Sequence, residues 1–373
     1  MTRIAISGIG IIAPDAIGLD AFRALLASGR TATRVVDFKP RDFIHPMKMR
    51  RMNALSRFGV AAAKLALADA GLDPGRNTGV ALGTAFGPVQ TSVDYMQEYV
   101  EKGAALAPPQ LFAESVANAP GSHIAIESDF RGFNVTITQR ESSALAAAMY
   151  ACSQLVKGSV DAALTGGVEE ASEMTVSVLE RVGALSRLPA RPFDRARDGM
   201  SIGEGGAVLL LQPRAAKSYA FFSGFGIARD TTASISDWGD DHGAVVTAMR
   251  AAIDDAEIAI GDVDAIYASA NGSVRGDAVE GRAIETLFGE RMPPVVATKG
   301  IFGEYAAGGA LHLVSAIVAI DEQTLHASTG FESGDFRFTP NRERRDCVLR
   351  HVLVNSVSAG GGIVCGVLSR EAA

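Results

Sequence analysis

Residues 136–151 read TITQRESSALAAAMYA. A β-type run, FNVTIT (133–138), stops, and a small-residue helical pattern begins at once. A strand passing through a tight turn into a helix is the elementary βα unit, and its turn is a seat for reactive groups. Backbone N–H groups and the helix dipole stabilise an anion there. A cysteine in that seat would ionise easily and attack as the thiolate. This turn instead offers Gln139, Arg140, Glu141 and Ser142.

The same alternation runs along the chain. IAISGIGII, GVALGTAFG, DAALTGG and GGAVLLLQP read as buried strands, and ALSRFGVAAAKLALADAG and SALAAAMYACSQLVKG read as helices closed by Gly. This predicts an α/β fold with a mostly parallel sheet covered on both faces. The 373 residues are 47% hydrophobic and 21% charged, enough for a large core. A net charge of −7 argues against a nucleic-acid partner. The basic cluster Lys48, Arg50 and Arg51 is short and reads as a solvated surface. Cys152, Cys347 and Cys365 are scattered, with no CxxC and no secretory leader, so a cytoplasmic location with structural thiols is expected. No window is long and apolar enough for a membrane span. No His/Cys/Asp cluster has metal-ligand spacing, so neither metal nor cofactor is expected.

The second part echoes the first. VDAALTGG (160–167) pairs with VDAIYASANG (263–272), FNVTIT plus its helix with PVVATKGIFG plus AAGGALHLVSAIVAI, and GEGGAVLLL with GGGIVCGVL. The expected division is 1–215 and 216–373, two halves packed as one body.

ISGIGIIAP, RPFDRARDGMSIGEGGAVLLL (191–211), GSVRGDAVEGRAIETLFG (272–289), TKGIFGEYAAGGA (298–310) and VNSVSAGGGIV (354–364), in that order, resemble the β-ketoacyl synthase branch of the thiolase-like superfamily over nearly the whole chain. The resemblance implies a thiolase-like fold: two pseudo-duplicated halves in five αβαβα layers. Condensing members of that family use a Cys at the strand-to-helix turn and two later histidines. Here the Cys position falls on Glu141, the first His position on or near Ser269, and the second on Glu304. The family's lysine is matched by Lys299, and its acidic pair by Asp277 and Glu280. These three are expected to form a buried ionic scaffold rather than a catalytic set.

A carboxylate stabilised at a helix N-terminus is a poor nucleophile, and without imidazoles there is no proton shuttle near pH 7. The pattern resembles the chain-length factor, the catalytically silent subunit of type II polyketide synthases. Gln is usual at the Cys position there, so Glu141 departs from it. The resemblance implies no condensing activity of its own and a heterodimer with an active ketosynthase α subunit. It also implies contact with acyl carrier protein mainly through that partner, and a role in setting polyketide or polyene chain length. The implied tunnel lining is Phe112, Ser115, Val116 and Ala119. The competing expectation is an autonomous decarboxylase, hydrolase or isomerase acting on carrier-protein thioesters, with Glu141 and Glu304 as acid and base.

Overall fold

The structure, a computed structural model, describes residues 3–235 and 237–371. Ten strands follow one hydrogen-bonded path: β1 (Ile4–Ala13), β2 (Thr78–Gly83), β3 (Asn134–Ile137), β4 (Ala162–Glu169), β5 (Gly205–Gln212), β6 (Ala220–Arg229), β7 (Ala265–Tyr267), β8 (Val295–Val296), β9 (His351–Val357) and β10 (Gly362–Ser369). The order is β3-β2-β4-β5-β1-β6-β10-β9-β7-β8. Read from its two edges, the path is the same pattern twice. β3-β2-β4 and β8-β7-β9 pair in parallel, and β4-β5-β1 and β9-β10-β6 pair antiparallel. The strand order reassigns one sequence echo. VDAALTGG (β4) occupies the place of β9, while VDAIYASANG (β7) occupies the place of β2. Short apolar runs carry no record of which neighbour they pair with.

The helices complete five layers. α1 (Ala54–Ala70) covers the outer face of β1 and β5. α2 (Val89–Lys102), α3 (Pro109–Glu114) and α5 (Glu173–Arg181) lie at the surface beyond the seat. α4 (Ser143–Val156) and α8 (Ala310–Glu322) lie in the middle. α6 (His242–Asp255) and α7 (Val274–Phe288) cover the outer face of the second half. Three apolar cores separate the layers, and strand alternation assigns residues to them. On β5, Ala207, Leu209 and Leu211 enter the central core, and Val208 and Leu210 enter the outer one. On β10, Val364 and Leu368 point inward, and Ile363, Cys365 and Val367 outward. The strand β1, predicted from IAISGIGII, is buried along its entire length.

The duplication reaches individual atoms. Ser7-Gly8-Ile9-Gly10 on β1 and Ser223-Gly224-Phe225-Gly226 on β6 each let a helix lie directly on the strand. A Cβ at Gly10 would stand 1.9 Å from the Ala62 carbonyl oxygen, and one at Gly226 would stand 2.0 Å from that of Ala248. The Ile9 N–H donates to Asp69 Oδ2 at 2.8 Å, and the Phe225 N–H to Asp255 Oδ2 at 2.9 Å. One helix-on-strand joint is thus built twice.

Candidate functional site

The seat lies where β3 meets α4. One 3₁₀ turn, Arg140–Ser142, joins them. Arg140 takes the left-handed conformation with φ 49°, which turns the next side chain inward. The Ser143 hydroxyl ties the turn down by donating to the Arg140 and Thr84 carbonyls at 2.7 and 3.1 Å. Glu141 is thereby buried to 1% exposure.

Its carboxyl group is held from two distant segments. The Tyr305 hydroxyl donates to Oε1 at 2.9 Å, and the Ala359 N–H donates to Oε2 at 3.2 Å. Donors of this kind, a hydroxyl and an N–H on a glycine-rich loop, are what a tetrahedral oxyanion needs. Here the protein's own side chain occupies them. Burial, reinforced by the charge of Glu304, raises the Glu141 pKa to about 7.

Glu304 is also 1% exposed and fully engaged. Lys299 Nζ lies 2.7 Å from Oε2, Asn271 Nδ2 donates to the same oxygen at 2.8 Å, and the Tyr305 N–H donates to Oε1 at 2.9 Å. Lys299 also donates to Ser269 Oγ at 3.3 Å. The lysine's ion pair is therefore made with Glu304, while Asp277 and Glu280 act as backbone anchors. Asp277 accepts from the N–H groups of Phe193, Asn271 and Gly272 at 2.7–3.3 Å. Glu280 accepts from the Ser269 N–H at 2.8 Å and from Asn355 Nδ2 at 3.0 Å. Burial lifts their pKa values to about 6 and about 7.

No imidazole enters this network among the described residues. His312, the nearest in sequence, faces Thr298 Oγ1 and the Tyr267 carbonyl; burial and the charge of Lys299 push its pKa down to about 3. Ser142 Oγ meets Ser358 Oγ at 2.6 Å, with no base beside it. No group of three metal-ligating side chains occurs among the described residues, and no described helix is long and apolar enough to cross a membrane.

A cavity of about 640 Å³ leads outward from Glu141 and Tyr305, lined by Phe86, Met174, Val178, Leu179, Met200 and Trp238, with Arg140 and Arg275 among the residues that line it. Phe86 stands edge-on to Tyr305 at 4.8 Å between centroids. A second, open groove of about 690 Å³ adjoins it and shares Phe86, Val89 and Met174. Of the residues expected to line a tunnel, Ser115 lines this groove. Phe112 and Val116 are exposed on α3 and just beyond it, and Ala119 is buried behind them. Tyr305, Asn271 and the Ala359 N–H were not anticipated from sequence. The only available signal was their adjacency to Glu304, Ser269 and the glycine run.

Comparison with known proteins bears on this arrangement. Residues 35–216 match the model of the β-ketoacyl synthase N-terminal domain, and residues 219–332 match that of its C-terminal domain. The ketoacyl synthase alpha subunit of the tetracenomycin polyketide synthase of Streptomyces glaucescens is 30% identical, over 96% of this chain and 95% of that protein. The ishigamide ketosynthase/chain length factor superposes with a TM-score of 0.92 at 25% identity, covering 99% of each chain. A β-ketoacyl synthase from Burkholderia phymatum superposes with a TM-score of 0.88 at 25% identity over the full length of both.

Proposed function

This chain belongs to the β-ketoacyl synthase family, in its ketosynthase and chain-length-factor branch, and we propose that it is a subunit without condensing activity that pairs with an active ketosynthase and limits how far the acyl chain grows. The observation that carries this reading is the occupied seat. Glu141 fills the Ala359 N–H and the Tyr305 hydroxyl, donors of the kind a thioester oxygen would need, and is itself a poor nucleophile. The positions of both family histidines are spent on a buried Lys299–Glu304 ion pair and a serine. Each oxygen of Glu304 already has a partner, which speaks against its service as the acid or base of an autonomous enzyme.

The surface supports a partner. β3 is an edge strand, paired on one side only. Separately, α2, α3 and α5, which pack on one another, expose Met96, Val100, Phe112, Met174 and Val178. A contiguous exposed apolar face marks an interaction site. Solved relatives include one named as a ketosynthase/chain length factor, and a pair of like folds would bury such faces against each other. The acyl chain would start on the partner's nucleophile and end against this chain. The test is native mass spectrometry of this protein alone and co-expressed with a ketosynthase that retains Cys and both histidines. A dominant 1:1 complex that makes product, with no activity from the lone chain, is expected. A homodimer that ignores the synthase overturns the reading.

A further inference from the structure

Resting on that chain-length reading, we propose that the chain received by the open groove is a reduced, hydrocarbon-like acyl chain, saturated or polyene, and not a poly-β-ketone. The groove's walls are Phe86, Val89, Val93, Met96, Val100 and Met174. Few polar side chains line it, and all but one of their N–H and O–H groups already serve the protein, the exception being the second N–H of the Gln97 amide. The Ser92 hydroxyl is aimed at the carbonyls of Pro88 (3.0 Å) and Ser115 (3.4 Å). The Ser115 hydroxyl donates to the Phe112 carbonyl at 2.8 Å. The Gln97 amide donates to Glu101 Oε1 at 2.9 Å. The remaining polar side chain, Glu101, brings a carboxylate, an acceptor.

A poly-β-ketone carries a carbonyl on every second carbon. Once a ketosynthase covers the groove, each carbonyl would leave water and meet methyl, methylene or thioether groups, or another acceptor, and these walls offer a whole row of carbonyls one amide N–H, that of Gln97. An alkyl or polyene chain loses nothing of this kind and gains from burial along its length. The groove is also continuous with the inner cavity through Phe86, Val89 and Met174, so the apolar wall extends beyond one residue's reach. At the Glu141 end, Tyr305 and the Ala359 N–H are already committed, and Arg140, whose buried Nε has no partner, lines the inner cavity and not the groove.

A place in a reaction sequence follows. Between condensations, a separate reductase must add hydride from a nicotinamide-type donor and a proton to each new β-carbonyl, giving the alcohol. A dehydratase must then remove water to leave the C=C bond, and a saturated chain needs a second hydride from a nicotinamide-type donor and a proton added across that bond. This chain holds no residues for either step in the groove.

The test uses the full-length protein and its complex with the ketosynthase. A fluorescent conjugated-polyene fatty acid serves as probe. It is displaced by two N-acetylcysteamine thioesters of equal length, one dodecanoyl and one 3,5-dioxododecanoyl. The expected result is that the dodecanoyl thioester competes at least ten-fold better than the dioxo compound, and that Val93→Trp, which fills the groove, removes probe binding. Equal or better competition by the dioxo compound overturns the inference. So does probe binding that Val93→Trp leaves unchanged, or no probe binding at all. Formation of the 1:1 complex is read separately by native mass. Its absence counts against the chain-length reading, while the competition ratio alone decides the chemistry of the groove.

Discussion

Glu141 titrates in the wrong range for an exposed carboxyl group, and this has a measurable sign. Its folded-state pKa of about 7 lies above the ordinary 4.5, so the folded protein keeps a proton that the unfolded chain releases. Stability from this group is greatest below pH 4.5, falls as pH rises to about 7, and is level above that. Glu141→Gln removes the slope. The variant's stability relative to the native protein is expected to rise by on the order of 1–3 kcal/mol between pH 5 and pH 8, read from melting curves at both. Glu304 is held by the buried Lys299 ammonium group. Glu304→Gln strands Lys299, which is 1% exposed, and is expected to cost about 3–5 kcal/mol in denaturant titrations. The glutamate in the nucleophile's place was legible in TITQRESSALAAAMYA, since a strand, a turn and an Ala-rich helix are local patterns. What holds it was not legible: the Tyr305 and Ala359 contacts span 164 and 218 residues. No local pattern encodes which distant loop arrives.

At the scale of elements, the two glycine joints are the clearest commitments of the fold. Strands β1 and β6 touch their helices at backbone distance. Gly10→Ala and Gly226→Ala are therefore each expected to lower stability by about 2–3 kcal/mol, measured by chemical denaturation. Comparable losses at the two sites would reflect one joint used twice. A milder case is Ser172, whose side chain accepts from the Thr175 N–H at 3.1 Å and caps α5. Ser172→Ala is expected to cost about 1 kcal/mol. Strand existence could be read from short apolar runs such as GVALGTAFG and GGAVLLLQP. Strand order could not, which is why the echo between VDAALTGG and VDAIYASANG joined strands that hold different places in their halves.

For the molecule as a whole, the apolar face of α2, α3 and α5 gives the sharpest forecast. Val100 is 76% exposed, so Val100→Glu is expected to change the lone chain's stability by less than about 0.5 kcal/mol. The same change should weaken association with a ketosynthase at least ten-fold by native mass titration, because it buries a charge at the contact. The Lys299–Glu304 pair has a different kind of consequence, one of history. A lineage that restored only a cysteine at 141 would leave Glu304 where an imidazole is needed. One that restored only a histidine at 304 would set an imidazole beside the family's lysine, Lys299, but leave Glu141 in the nucleophile's seat. Each such step leaves the family's triad incomplete. On the reading proposed above, positions 141, 269 and 304 all depart from the family's triad, so no single substitution rebuilds it.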